Sequence, residues 1–108
     1  MKEFIIDGGA EDGKKFVLEN KHIICPLIVE AVRKAFYNNI DRYEIFKIVY
    51  PKMNITIISE ITKKDWINSL DKCLEYFLSV EGYEECKEVS ELKTEIENGT
   101  DKTNKLKK

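Results

Sequence analysis

Three groups of residues in this chain could carry chemistry. The first is the segment Asp7-Gly8-Gly9-Ala10-Glu11-Asp12-Gly13, whose glycines and acids suit a phosphate cradle, a cation loop or a plain turn. It lacks the G-x-x-x-x-G-K-S/T pattern, and it is not expected to open a helix as a dinucleotide fingerprint would. As a calcium loop it would place Asp7, Gly9 and Glu11 at positions one, three and five, with no bidentate Glu following at the required place. A hairpin loop is the preferred reading.

The second group is His22 and Cys25, three apart, which could suggest a Cys–His pair or half a metal site. A zinc site normally takes three or four protein ligands. The remaining cysteines, Cys73 and Cys86, fall much further along on apolar helical faces, where a free thiol behaves as a small hydrophobe. The third group is the run of carboxylates Glu81, Glu84, Glu85, Glu88, Glu91 and Glu95, spaced as the solvated side of a helix. Catalytic carboxylates need surroundings that separate their pKa values, and nothing in the adjoining sequence supplies them. The residues therefore predict no catalytic set, no metal and no cofactor.

The elements that would position these groups follow from periodicity. Lys2–Ile6 reads as a strand and Lys14–Glu19 as a second one, so the glycine segment becomes the loop of a β-hairpin. Pro26 suits the first turn of a helix. Beyond it Leu27, Ile28, Ala31, Val32, Ala35 and Phe36 form one apolar face, and Asn38-Asn39 forms the stop. In Arg42–Pro51, Phe46, Ile48 and Tyr50 alternate with Ile45, Lys47 and Val49, which favours a strand, although Asp41 could equally cap a short helix; Pro51 ends the element in either case. Asn54–Ser59, with Ile55, Ile57 and Ile58, reads as a further strand.

Thr62-Lys63-Lys64-Asp65 resembles a capping box, and Trp66, Ile67, Leu70, Cys73, Leu74, Phe77 and Leu78 then repeat at helical spacing. Gly82 is the expected break. Tyr83, Cys86, Val89, Leu92 and Ile96 open a second helix, whose first turn carries Glu84 and Glu85 where the helix dipole favours negative charge. The expected fold class is α+β: a small antiparallel sheet of three to four strands packed with one helix, then a C-terminal two-helix hairpin. One domain spans residues 1–98, with the sheet and its helix in 1–60 and the hairpin in 61–98. Residues 99–108 read as a disordered basic tail.

The charge is unevenly spread along the 108 residues. Glu60–Glu97 holds eleven acids and five bases, whereas Met1–Ser59 holds nine bases and eight acids. The acidic half argues against a phosphate-binding surface, which would need Lys and Arg. A basic or mixed protein surface is a better match for it. No secretory signal or membrane span is visible, since the longest apolar run, Ile23 to Val29, is seven residues. Three cysteines, odd in number and without the close spacing of a metal site, suit a reducing, cytoplasmic setting.

Leu70–Ile96 resembles the UVR motif, a helical hairpin of nucleotide-excision repair subunits and of some bacterial chaperone and kinase-regulator proteins. Leu70, Leu74, Phe77 and Leu78 carry the likeness on the first helix; Tyr83-Glu84, Cys86 and Val89 carry it on the second. The chain departs from the motif at Lys87, where the family has a small residue, and at Ser90-Glu91, where it has Arg-Asp. The resemblance implies docking on another protein or hairpin, without catalysis.

These readings predict a non-enzymatic protein-interaction module: an adaptor, an assembly factor or an inhibitor, with a composition that would suit an accessory protein of a phage. Its partner would be another protein or a second copy. The candidate partner-binding residues are Tyr76 and Val80, off the apolar stripe, with Glu84 and Glu88. The alternative is nucleic-acid binding by Lys14, Lys15, Arg33, Lys34 and Arg42.

Overall fold

The computed structural model describes residues 1–106, with side chains described as far as Gly99. Its elements are β1 (Lys2–Ile5), α1 (Ala10–Glu19), α2 (Lys21–Tyr37), β2 (Arg42–Tyr50), β3 (Ile55–Thr62), α3 (Trp66–Ser79) and α4 (Tyr83–Leu106). Short, tight helical turns at Pro51–Met53 and Lys63–Asp65 precede β3 and α3. The class is α+β. Two compact units emerge, Met1–Trp66 and the chain from Ile67 onward.

The first departure from the sequence reading lies in residues 10–19. Lys14–Glu19 is the second half of α1 and not a strand, so there is no β1 hairpin. Gly9 adopts extended backbone as the N-cap, and its N–H donates to Asp12 Oδ2 at 2.9 Å. Glu11 and Asp12 occupy the first turn, where carboxylates are stabilised by the helix dipole. The inward positions are Gly13, Phe16 and Val17, at helical spacing, while Leu18 is exposed.

β1 and β2 run parallel, and α1 and α2 supply the long connection that parallel strands need. The sheet is therefore mixed, in the order β1-β2-β3, with β2 and β3 antiparallel. It has three strands, not the wholly antiparallel set expected from sequence. One face is apolar: Phe4 and Ile6 follow β1, and Phe46, Ile48 and Tyr50 alternate along β2. Ile24 of α2 completes this buried cluster, and Phe16, Val17, Leu27 and Ile28 pack against it. The opposite face bears the ion pairs Lys47–Glu3 and Arg42–Glu60, each at 3.5 Å.

Helix α2 starts at Lys21, earlier than Pro26 suggested, and Pro26 lies inside it. Its ring deprives the His22 carbonyl of the usual donor, but both residues are exposed, so the freed carbonyl lies on the solvent side. The predicted stop at Asn38-Asn39 is present. Asn39 takes the left-handed conformation (φ 55°), and the Ile40 N–H donates to the Ala35 carbonyl at 2.8 Å, a Schellman closure.

In the second unit, Leu70, Cys73 and Phe77 of α3 and Cys86, Val89 and Leu92 of α4 are buried, which matches the predicted stripes. Lys93 reaches Asp71 at 2.7 Å, and the carboxylate's hydrogen bond raises the Lys93 amine above its ordinary value. The raised amine keeps its charge through neutral pH, and its contribution to stability is lost as the pH rises through the Lys93 value in alkali. Two details differ from expectation. Leu78 is exposed, and α4 runs through Asn98-Gly99 to Leu106 without the predicted stop. The side chains of the expected disordered tail from Thr100, and residues 107 and 108 altogether, lie outside the described residues.

Candidate partner-docking surface

The connection between α3 and α4 is a Schellman turn. The Gly82 N–H donates to the Phe77 carbonyl at 2.8 Å, and the Glu81 N–H donates to the Leu78 carbonyl at 3.2 Å. The residue in the left-handed conformation is Glu81 (φ 59°), not Gly82, to which the sequence assigns the break. A side chain there costs about 1–2 kcal/mol relative to an unstrained site. Glu81→Gly should therefore raise stability by about 0.5–1 kcal/mol after the extra unfolded-state freedom of glycine is subtracted. Urea denaturation checks this, and an unchanged midpoint would count against the turn geometry.

Around that turn the chain leaves large apolar side chains in water. Leu78 and Val80 are each 54% exposed and Tyr83 is 66% exposed. Glu75, Glu81, Glu84 and Glu85, all exposed, lie in the last turn of α3, the connection and the first turn of α4. The result is an apolar tip with an acidic border. Glu88 continues the acidic side one turn further along α4.

Of the four residues that the sequence singles out, Val80, Glu84 and Glu88 are exposed at or near this tip. Tyr76 is half-buried, with its ring 5.5 Å from Phe77, so it is not a free anchor. Sequence reasoning missed Leu78 and Tyr83 because both fit the helical stripe. The available signal was their position on either side of the turn, where a hairpin's apolar stripe runs out.

Four of the five basic residues of the alternative reading stand beside carboxylates. Lys14 pairs with Glu11 at 3.5 Å, Arg33 and Lys34 share Glu30 at 3.0 and 3.8 Å, and Arg42 pairs with Glu60. Exposed pairs of this kind contribute little energy. Each nevertheless puts a carboxylate beside the cation that a phosphate would have to reach. Lys15 is exposed on α1.

The glycine segment does open a helix, contrary to the sequence reading. Gly8, Gly13 and Lys14 even keep phosphate-loop spacing, but Lys15 stands where Ser or Thr would hold magnesium. The helix begins at Ala10, four residues before Lys14, and the N–H of its N-cap, Gly9, already donates to the carboxylate of Asp12. His22 is exposed on the first turn of α2, and Cys25 is buried. An open cleft of about 780 Å³ in the first unit is bordered by both signs of charge, Lys2, Lys34 and Arg42 against Glu30, Glu44 and Glu60. Among the described residues no group of three or more His, Cys, Asp or Glu is placed to hold a metal ion. No described helix is long and apolar enough to cross a membrane.

Comparison with protein-family models, with curated proteins and with solved structures found no match.

Proposed function

We propose that this chain is a non-enzymatic protein-interaction module that docks on another protein through the tip of its helical hairpin. The observation that carries the reading is the exposed trio Leu78, Val80 and Tyr83 inside a border of carboxylates. Large apolar and aromatic side chains at the centre of an interface, with a polar rim around them, account for most binding energy in protein complexes. The partner is a protein with an apolar recess edged by Lys or Arg. The acidic border steers approach, and the three apolar residues hold the complex. The likeness of residues 70–96 to a docking hairpin supports the same reading.

The Schellman turn gives the tip a fixed shape, so little ordering cost falls on binding. In this role Glu81 is kept at the turn despite its strained conformation because its carboxylate belongs to the border.

Replacing Leu78, Val80 and Tyr83 together with serine tests the proposal. The immobilised wild-type chain should retain a partner from an extract of its native host, and the triple variant should bind that partner at least 20-fold more weakly. Helix content should not change, since all three side chains are exposed. Moderate salt should slow association without abolishing it. Equal retention of the partner by the variant would overturn the reading.

A further inference from the structure

We infer that the free edge of β3 pairs with β3 of a second copy of this chain, antiparallel and about a two-fold axis, to make one continuous six-stranded sheet. The inference is independent of the hairpin tip and rests on the first unit. The sheet order is β1-β2-β3, so among the described residues β3 pairs with a strand on one side only and presents the other edge of an eight-residue strand. Natural proteins usually shield such edges with Lys, Pro, a bulge or a covering element. Here Ile55-Thr56-Ile57-Ile58-Ser59 carries no charge and no proline, and Ile55, Ile57 and Ile58 are 42%, 48% and 45% exposed. The one register irregularity of the sheet lies on β2, between Glu44 and Phe46, and leaves this outer edge straight in register from Ile55 to Ser59.

The exposed residues fall on both faces. Ile57 is opposite Ile48, and Ile55 is opposite Tyr50, so both lie on the apolar face, beyond the area the helices bury. Ile58 is opposite Lys47 on the other face. A two-fold axis perpendicular to the sheet keeps like faces together, so the helices of the two copies lie on the same side.

Charge selects the occupant and narrows the register. Glu60 is the only charged residue of β3. A two-fold centred on Ile58 sets Ile58 against its own copy, Ile57 against Ser59, Ile55 against Ile61, and Glu60 against Thr56. No like charges then stand opposite, and β-branched side chains meet at the centre, an arrangement that favours cross-strand pairing. Centring the pair on Glu60 would oppose two carboxylates and is disfavoured. The uncharged stretch is thus complementary to itself, and self-pairing covers the isoleucines that the single chain leaves in water.

The test uses the full chain. Sedimentation equilibrium across a wide concentration range should show a dimer that persists at high salt. Ile58→Lys, which sets two ammonium groups against each other at the axis, should weaken dimerisation at least 20-fold, whereas the β-branched Ile58→Thr should retain it. Circular dichroism should show that both variants are folded, since Ile58 is exposed. Ile58→Cys should form an intermolecular disulfide on mild oxidation, because cross-strand Cα atoms lie within disulfide range; the three native cysteines are buried. A monomer at every concentration would overturn the inference, whatever else binds this edge. So would a dimer that Ile58→Lys leaves intact, or failure of the cysteine variant to cross-link.

Discussion

Trp66→Ala should lower stability by about 3–5 kcal/mol, the usual cost of removing a buried aromatic side chain. The indole is only 3% exposed and meets the Phe36 ring edge-on, with centroids 6.1 Å apart and planes at 87°. Trp66 is also the first residue of α3, held by the tight turn in which the Thr62 hydroxyl donates to Asp65 Oδ2 at 3.0 Å. Its Nε1–H is buried with no hydrogen-bond partner among the described residues. An unsatisfied buried donor costs about 1–3 kcal/mol, so the ring contributes its packing and loses part of it at that atom. Trp66→Phe removes the orphaned donor along with some volume and should cost less than about 1.5 kcal/mol, as for a near-conservative apolar change. Urea unfolding followed by far-ultraviolet circular dichroism makes the comparison, since Trp66 is the only tryptophan and its fluorescence disappears in both variants. A loss in Trp66→Phe as large as that in Trp66→Ala would contradict this expectation.

Gly13→Val should cost about 3 kcal/mol, at the upper end of the range for overpacking. Gly13 is buried in α1, where its backbone approaches the phenol of Tyr50 from β2. A Cβ built at Gly13 would collide with the Tyr50 hydroxyl and lie 2.9 Å from Cζ. Tyr50 is itself only 3% exposed, so the ring has little room to withdraw. Alanine at this position would recover about 1 kcal/mol of helix propensity against the same collision, and its net effect should be smaller. The double variant Gly13→Val with Tyr50→Leu should recover part of the loss, because the colliding ring is gone. Additive losses in the two variants would mean that the collision is not the cause.

The same glycine explains why α1 was illegible in the sequence. A helix face is recognised by its apolar side chains, and here the key inward position has none. Gly13, Phe16 and Val17 form that face, but without a side chain at 13 the remaining Phe16, Val17 and Leu18 read as a strand. The capping signals were also present, with Gly9 before Glu11 and Asp12, yet three glycines in seven residues have the composition of a loop. Reading residues 14–19 as a strand also gave β1 the wrong neighbour, whereas β1 pairs with β2, in parallel. By contrast, α2, β2, α3 and the start of α4 were legible, since each carries a long apolar pattern of one period.

The docking surface was half legible. Val80, Glu84 and Glu88 stand off the apolar stripe and are exposed, as their spacing indicates. Leu78 and Tyr83 share the period of the buried residues, and only the position of the turn separates them. Tyr76 stands off the stripe on the semi-exposed side of α3, half-buried with its ring beside Phe77. Periodicity reports the direction of a side chain around its helix. It does not report how far along the helix the neighbouring surface extends.

Photo-crosslinking from the hairpin tip tests the interaction reading most directly. A benzophenone side chain placed at Val80, and separately at exposed Asn68 near the start of α3, would be irradiated in an extract of the native host. The account predicts a discrete crosslinked protein from position 80 that is absent from position 68 and is lost when Leu78 and Tyr83 are replaced with serine. The same crosslinking pattern from both positions, or a product that survives those replacements, would contradict it.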